Sequence, residues 1–185
     1  MAGERYTEPD PANLSEAQAR VFEAIKSGPR GSVAAPFRLL LHSPELADRV
    51  QHLGAFVRYD SSLPKRLSEL AILITARKWN SPFEWHHHVR DGLAGGVPAA
   101  EIEAISERRR PDFDDPKAEA VYDFCTELHT DLAVSEPTFE RARMSLGEVG
   151  IVDLIGIIGH YSLVAMLLNT FEVPEPEGTK IPLSD

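Results

Sequence analysis

The chain has 185 residues, 43% of them hydrophobic, enough for one domain with a sizeable core. Against 29 acidic residues stand 19 basic ones, and the formal charge of −10 argues against a nucleic-acid or anionic-membrane surface. One cysteine, Cys125, excludes an internal disulfide or dithiol couple, and no apolar signal-peptide core follows Met1, so the expected location is cytoplasmic.

Residues 1–13, with Pro9 and Pro11, read as an extended arm. Ser15 with Gln18 three residues on is a capping box, and the helix behind it carries Val21, Phe22 and Ile25 before Gly28-Pro29 stops it. A short apolar helix runs from Pro36 to Leu41, and Ser43-Pro44 starts another with Leu46, Val50, Leu53 and Val57 on one face. Pro64 opens a helix that holds Glu69 in an otherwise apolar run. Ser81-Pro82 opens the next, which closes at Gly95-Gly96.

Val97-Pro98 then begins a helix over 99–109, with Ile102 and Ile105 inward and Glu101, Glu103 and Glu107 toward water. Asp115-Pro116 caps a helix with Ala120, Val121, Phe124 and Leu128 on its apolar stripe. Ser135 begins another, which Gly147 separates from the last. No stretch alternates apolar and polar residues long enough to be a strand. The expectation is a single all-α domain over 1–185, about eight helices with short loops, and an extended tail over 173–185.

The last helix, about 149–172, is apolar on nearly every side, as a central core helix is. It approaches the length of a membrane span, but Asp153 and His160 oppose that, at about 2.5–3.5 kcal/mol each at mid-bilayer. No membrane partner is expected. Gly156 and Gly159 would let a neighbouring helix approach closely, and the helix could also be an oligomer interface. Asp153, seven residues before His160, is a possible partner for it.

Chemistry concentrates in 67–96. Ser81, Glu84 and His88 lie at i, i+3 and i+7 on one helix face, so a carboxylate and an imidazole sit one turn apart as an acid/base pair. The same Ser81 and Glu84 also form a capping box, in which Glu84 merely reaches back to the Ser81 amide. Glu69 is either a surface partner of Lys65 or Arg66, or a partly buried carboxyl of raised pKa. Successive helical residues point ~100° apart, so His86, His87 and His88 cannot converge on one ion, and no metal is expected. His86 and His87 read as solvated or interfacial and Cys125 as inert packing.

Glu69, then Ser81-x-x-Glu84-x-x-x-His88-Val89-Arg90, followed by Gly92-Leu93-x-x-Gly95-Gly96-Val97 and Glu101-Ile102, resembles the carboxymuconolactone decarboxylase family, which includes the alkylhydroperoxidase D-like proteins. The match is strongest over roughly residues 60–105; the closing Tyr161-x-Leu163-Val164-Ala165-Met166-x-x-Asn169-x-Phe171-Glu172-Val173-Pro174 is also similar. The redox branch carries Cys-x-x-Cys-x-x-x-His twelve residues after a glutamate. Here the spacing is kept, but Ser81 and Glu84 stand at the cysteine positions, and the ending resembles the decarboxylase branch.

The resemblance implies an alkylhydroperoxidase D-like bundle that assembles as a homo-oligomer, a trimer or hexamer, and works without a cofactor. It implies a carboxy-lyase acting on a small carboxylated lactone. His88 would then transfer the proton, Glu84 would orient or exchange protons with it, and Glu69 would be a supporting acid. Arg90, Ser81 and His160 are the candidate substrate contacts, Arg90 for a carboxylate. The alternatives are a ligand-binding member without catalysis, or a peroxidase, which the loss of both motif cysteines disfavours.

Overall fold

Eight helices carry the regular structure of residues 5–174, the part that the computed structural model describes, and no strand occurs among them. Residues 1–4 of the expected arm and 175–185 of the expected tail lie outside the described residues. The elements are α1 (Glu16–Ser27), α2 (Ala35–Leu40), α3 (Pro44–Ala55) running into a π-helical turn (Phe56–Asp60), α4 (Lys65–Lys78), α5 (Pro82–Gly95), α6 (Ala99–Ser106), α7 (Pro116–Asp131) and α8 (Glu136–Thr170). Five of them (α2, α3, α5, α7 and α8) take proline in the first turn, where the missing N–H breaks no helical bond. The Ser15–Gln18 capping box is formed.

Every residue from Leu67 to Arg77 is buried, which makes α4 the centre of the molecule. It packs against α5, α6, α7 and α8. A second, smaller core joins α1, α2 and α3 through Val21, Ile25, Phe37, Leu41, Ala47 and Val50. Gly147, at φ 72° and ψ 175°, breaks α8 into two segments, a conformation that side chains forbid and glycine tolerates. The segment after it runs through the core. By length and composition α8 could cross a membrane, but its inner face is covered by protein and Asp153 accepts hydrogen bonds from the Ser62 amide (2.8 Å) and hydroxyl (2.7 Å). Asp153 therefore does not partner His160.

Three further expectations change. Glu101 is buried rather than solvated, because Arg66 on α4 reaches it (2.8 Å) and Asp115 (2.7 Å), joining α4, α6 and the start of α7. Of the apolar face expected on α3, Val50 and the following Val57 are covered, whereas Leu46 and Leu53 are exposed; the helix buries Ala47, Gln51 and Gly54 instead. Gly159 faces open space, while Gly156 lies against Val57 of the π-helical turn, 3.5 Å from where a Cβ would stand, so of the two only Gly156 has a close neighbour in the same chain. Val149, Val152, Ile155 and Met166 on the same side of α8 are also exposed.

Candidate active site

The packing of α5 on α4 brings the sequence-predicted residues together at a cavity of about 90 Å³ between α5, α8 and the α1–α2 loop. Glu84, His88, Arg90 and His160 line it. Glu69 lies behind His88 with no exposed surface, and Nδ1–H of His88 donates to its carboxylate at 2.7 Å. The carboxylate partner of His88 is thus Glu69, from the neighbouring helix, rather than Glu84 from its own. Lys65, one turn before Glu69, closes the other carboxylate oxygen at 2.5 Å.

Burial alone would push the Glu69 carboxyl up. The hydrogen bond and charge of His88, then those of Lys65, outweigh it, and Glu69 stays ionised below the usual carboxylate range. His88 is held below the ordinary imidazole range, chiefly by burial, against the pull of Glu69. With Nδ1 committed to the carboxylate, the neutral ring leaves Nε2 as a base for the cavity. Its face is set edge-on against Tyr161, ring centroids 4.9 Å apart.

Glu84 behaves in the opposite way. Burial raises its pKa well above the usual range, with the Ser81 hydroxyl the one opposing influence, so its environment favours the protonated form. Neither of its oxygens has a hydrogen bond of proper geometry, nor does the fully buried Ser81 hydroxyl. Ser81 is the N-cap of α5 yet makes no side-chain cap bond, so the capping box that the spacing suggests is not formed. The two glutamates divide the roles: Glu69 carries the charge and Glu84 the proton.

Arg90 sits on the rim with its side chain 78% exposed, leaning on Asp91 at 3.2 Å. His160 is buried, edge-on to Tyr161 at 5.1 Å, with Nδ1 unpartnered. Burial first, then the charges of Arg30, His88 and Arg58, push its pKa down to about 4, so it is neutral. His87 does not point away as its position suggests. It lines the cavity mouth, stacked on Phe83 (4.6 Å) with Nδ1–H donating to the Phe83 carbonyl (2.8 Å).

The sequence reading missed Arg30 and Arg58, both on the cavity wall. Arg58, in the π-helical turn, pairs with Asp91 at 2.5 Å. Glu69, His88 and Asp91 offer ligand atoms within 4.8 Å of one another, but both carboxylates are already spent on Lys65, His88 and Arg58. A cation entering there would displace those partners, so the donor set does not fit a metal.

Residues 44–127, which span α3 to α7 and hold the Glu69–His88 pair, match the carboxymuconolactone decarboxylase family model. This segment belongs to the carboxymuconolactone decarboxylase family. No curated protein matches the chain significantly. Among solved structures, the debrominase Bmp8 superposes with a TM-score of 0.75 at 14% identity, covering 96% of this chain and 95% of its own. It was solved both free and as a cysteine-to-alanine variant complexed with 2,3,4-tribromopyrrole. ATU0492 from Agrobacterium tumefaciens, a protein of unknown function linked to antioxidant defence as an AhpD, superposes at 0.66 with 19% identity over 74% of this chain and 94% of its own. At these identities the likeness is one of fold, and the fold is AhpD-like. In this family member the redox motif has no thiol, and Cys125 is buried on α7, where desolvation pushes its pKa far up.

Proposed function

We propose that the chain is a cofactor-independent carboxy-lyase of the carboxymuconolactone decarboxylase type, acting on a small carboxylated lactone. The observation that carries this is the buried 2.7 Å bond to an ionised Glu69 from His88, which lines one cavity together with a Glu84 held toward its protonated form. In a vinylogous carboxylactone, loss of carbon dioxide breaks the bond to the carboxylate and sends its electron pair through the double bond to the lactone carbonyl oxygen. The Glu84 carboxyl gives its proton to that oxygen as charge develops there. His88 Nε2 then takes the enol proton and delivers it to carbon, its transient charge balanced by Glu69. Glu84 recovers a proton from water, so one proton is consumed per carbon dioxide released.

A ligand-binding role without catalysis calls for Ser81 and Glu84 as a cap, and they do not cap. A thiol peroxidase reading has no thiolate to use. The exposed stripe of Val149, Val152, Ile155 and Met166 supports assembly into a trimer or hexamer, and one buried thiol suits the cytoplasm. Incubation with a panel of carboxylated lactones, following carbon dioxide release, tests the reaction. Release dependent on His88 and Glu84 is the expected result, and an inert panel counts against it.

A further inference from the structure

Nearly every charge at the cavity has an opposite within reach. Behind the wall Glu69 answers Lys65, and on it Asp91 lies between Arg58 and the solvated Arg90. His88 and His160 are held neutral and Glu84 keeps its proton. Arg30 is left over. Its side chain comes from the α1–α2 loop and lies over the Phe37 ring, the guanidinium carbon 4.3 Å from the centroid. Nε and Nη2 are buried and neither has a hydrogen-bond partner, and Arg30 takes part in no ion pair among the described residues.

A guanidinium does not shed its charge, and leaving it buried without an anion is costly. Room has been made for it all the same. On α3, Gly54 has no side chain where an added Cβ would fall 2.6 Å from Arg30 Nη2 and 2.6 Å from the His160 ring. Glycine inside a helix costs about 1 kcal/mol against alanine, so this clearance has its own penalty. The guanidinium and the His160 imidazole share the space above it, on the wall where the cavity also meets Glu84 and His88.

From this unbalanced, half-buried guanidinium we infer that Arg30 is the substrate-binding residue that receives a carboxylate, and that the cavity is built for a small carboxylate anion. The inference rests on the decarboxylase reading for the identity of the lactone but not for the binding itself. Arg30 takes the part that the sequence suggests for Arg90, whose head lies in solvent on Asp91. A planar fork matches a carboxylate bidentately, which a lysine would not do. Holding the carboxylate in this way would leave the lactone carbonyl free for the Glu84 proton.

The test is calorimetric titration of the full chain with 5-oxotetrahydrofuran-2-carboxylate, its uncharged methyl ester, and inorganic phosphate. The acid should bind at least about tenfold more tightly than the ester or phosphate. Arg30→Gln should lose about tenfold or more for the acid and leave the ester unchanged, with Arg30→Lys recovering part of the loss. Gly54→Ala displaces the guanidinium without altering charge and should weaken the acid too, which keeps the test alive if Arg30→Gln folds poorly. Equal binding of the acid by wild type and Arg30→Gln, no preference for acid over ester or phosphate, or no binding of the acid at all overturns the inference. The saturated probe has no double bond through which to lose carbon dioxide, so it reads binding alone; Arg30-dependent binding of it alongside an inert panel of unsaturated carboxylated lactones would remove the decarboxylase reading and leave this one standing.

Discussion

Two polar regions meet at α4, and they are built on opposite rules. In the first, half-buried Arg66 ties Asp115 and buried Glu101 together, so each charge has an opposite within hydrogen-bond reach. In the second, the cavity wall holds Arg30 Nε and Nη2, both Glu84 oxygens and His160 Nδ1 without partners, and the Ser81 hydroxyl is buried near Glu84. The first arrangement joins three helices. The second lowers stability, since an unmet buried polar group costs about 1–3 kcal/mol, and chains keep such groups where a ligand or a reaction uses them.

The largest effect that would separate the two regions is on turnover. His88→Ala or Glu84→Gln should cut carbon dioxide release by about two to four orders of magnitude, with normal melting for Glu84→Gln. Arg66→Ala should leave turnover per folded molecule unchanged while lowering the unfolding free energy by about 3 kcal/mol, read by denaturant titration, because Glu101 would stay buried without its cation. Opposite in sign, Glu84→Met should raise stability by about 1–3 kcal/mol while abolishing activity. A loss of stability in that variant would mean that Glu84 is satisfied after all.

The pH dependence of stability sharpens the same contrast. Glu84 holds its proton more tightly folded than unfolded. Its contribution is complete below the ordinary carboxyl pKa of about 4.3 and is lost as pH rises through the raised folded value. Across that window wild type should lose up to about 1.4 kcal/mol per pH unit relative to Glu84→Gln, which does not titrate. Parallel curves would refute the neutral Glu84. Smallest of all, Ser81→Ala should leave stability unchanged or slightly raised rather than lower it by the ~1 kcal/mol of a lost cap, since a buried hydroxyl without a cap bond is what it removes.

Much of this was readable along the chain. Proline and the N-cap residues Ser15 and Asp115 mark helix starts through purely local chemistry, and Gly147 marks a break for the same reason. The spacing of Glu84 and His88 set them on one face because helical periodicity needs no tertiary partner. Motif spacing also indicated the family. Glu101 was misjudged because whether a glutamate is solvated depends on Arg66, thirty-five residues away in sequence.

What the sequence by itself determined, then, is what local backbone chemistry controls: helical content, helix ends, the absence of motif thiols, and which side chains share a face. What only the tertiary structure decided is partnership and protonation. That His88 bonds Glu69 rather than Glu84, that Glu84 is the neutral acid, and that Arg30 waits unpaired over Gly54 all depend on how α4, α5, α8 and the α1–α2 loop meet. Desolvation and pairing are properties of the assembled environment, and a pKa follows them rather than the residue's neighbours in the chain.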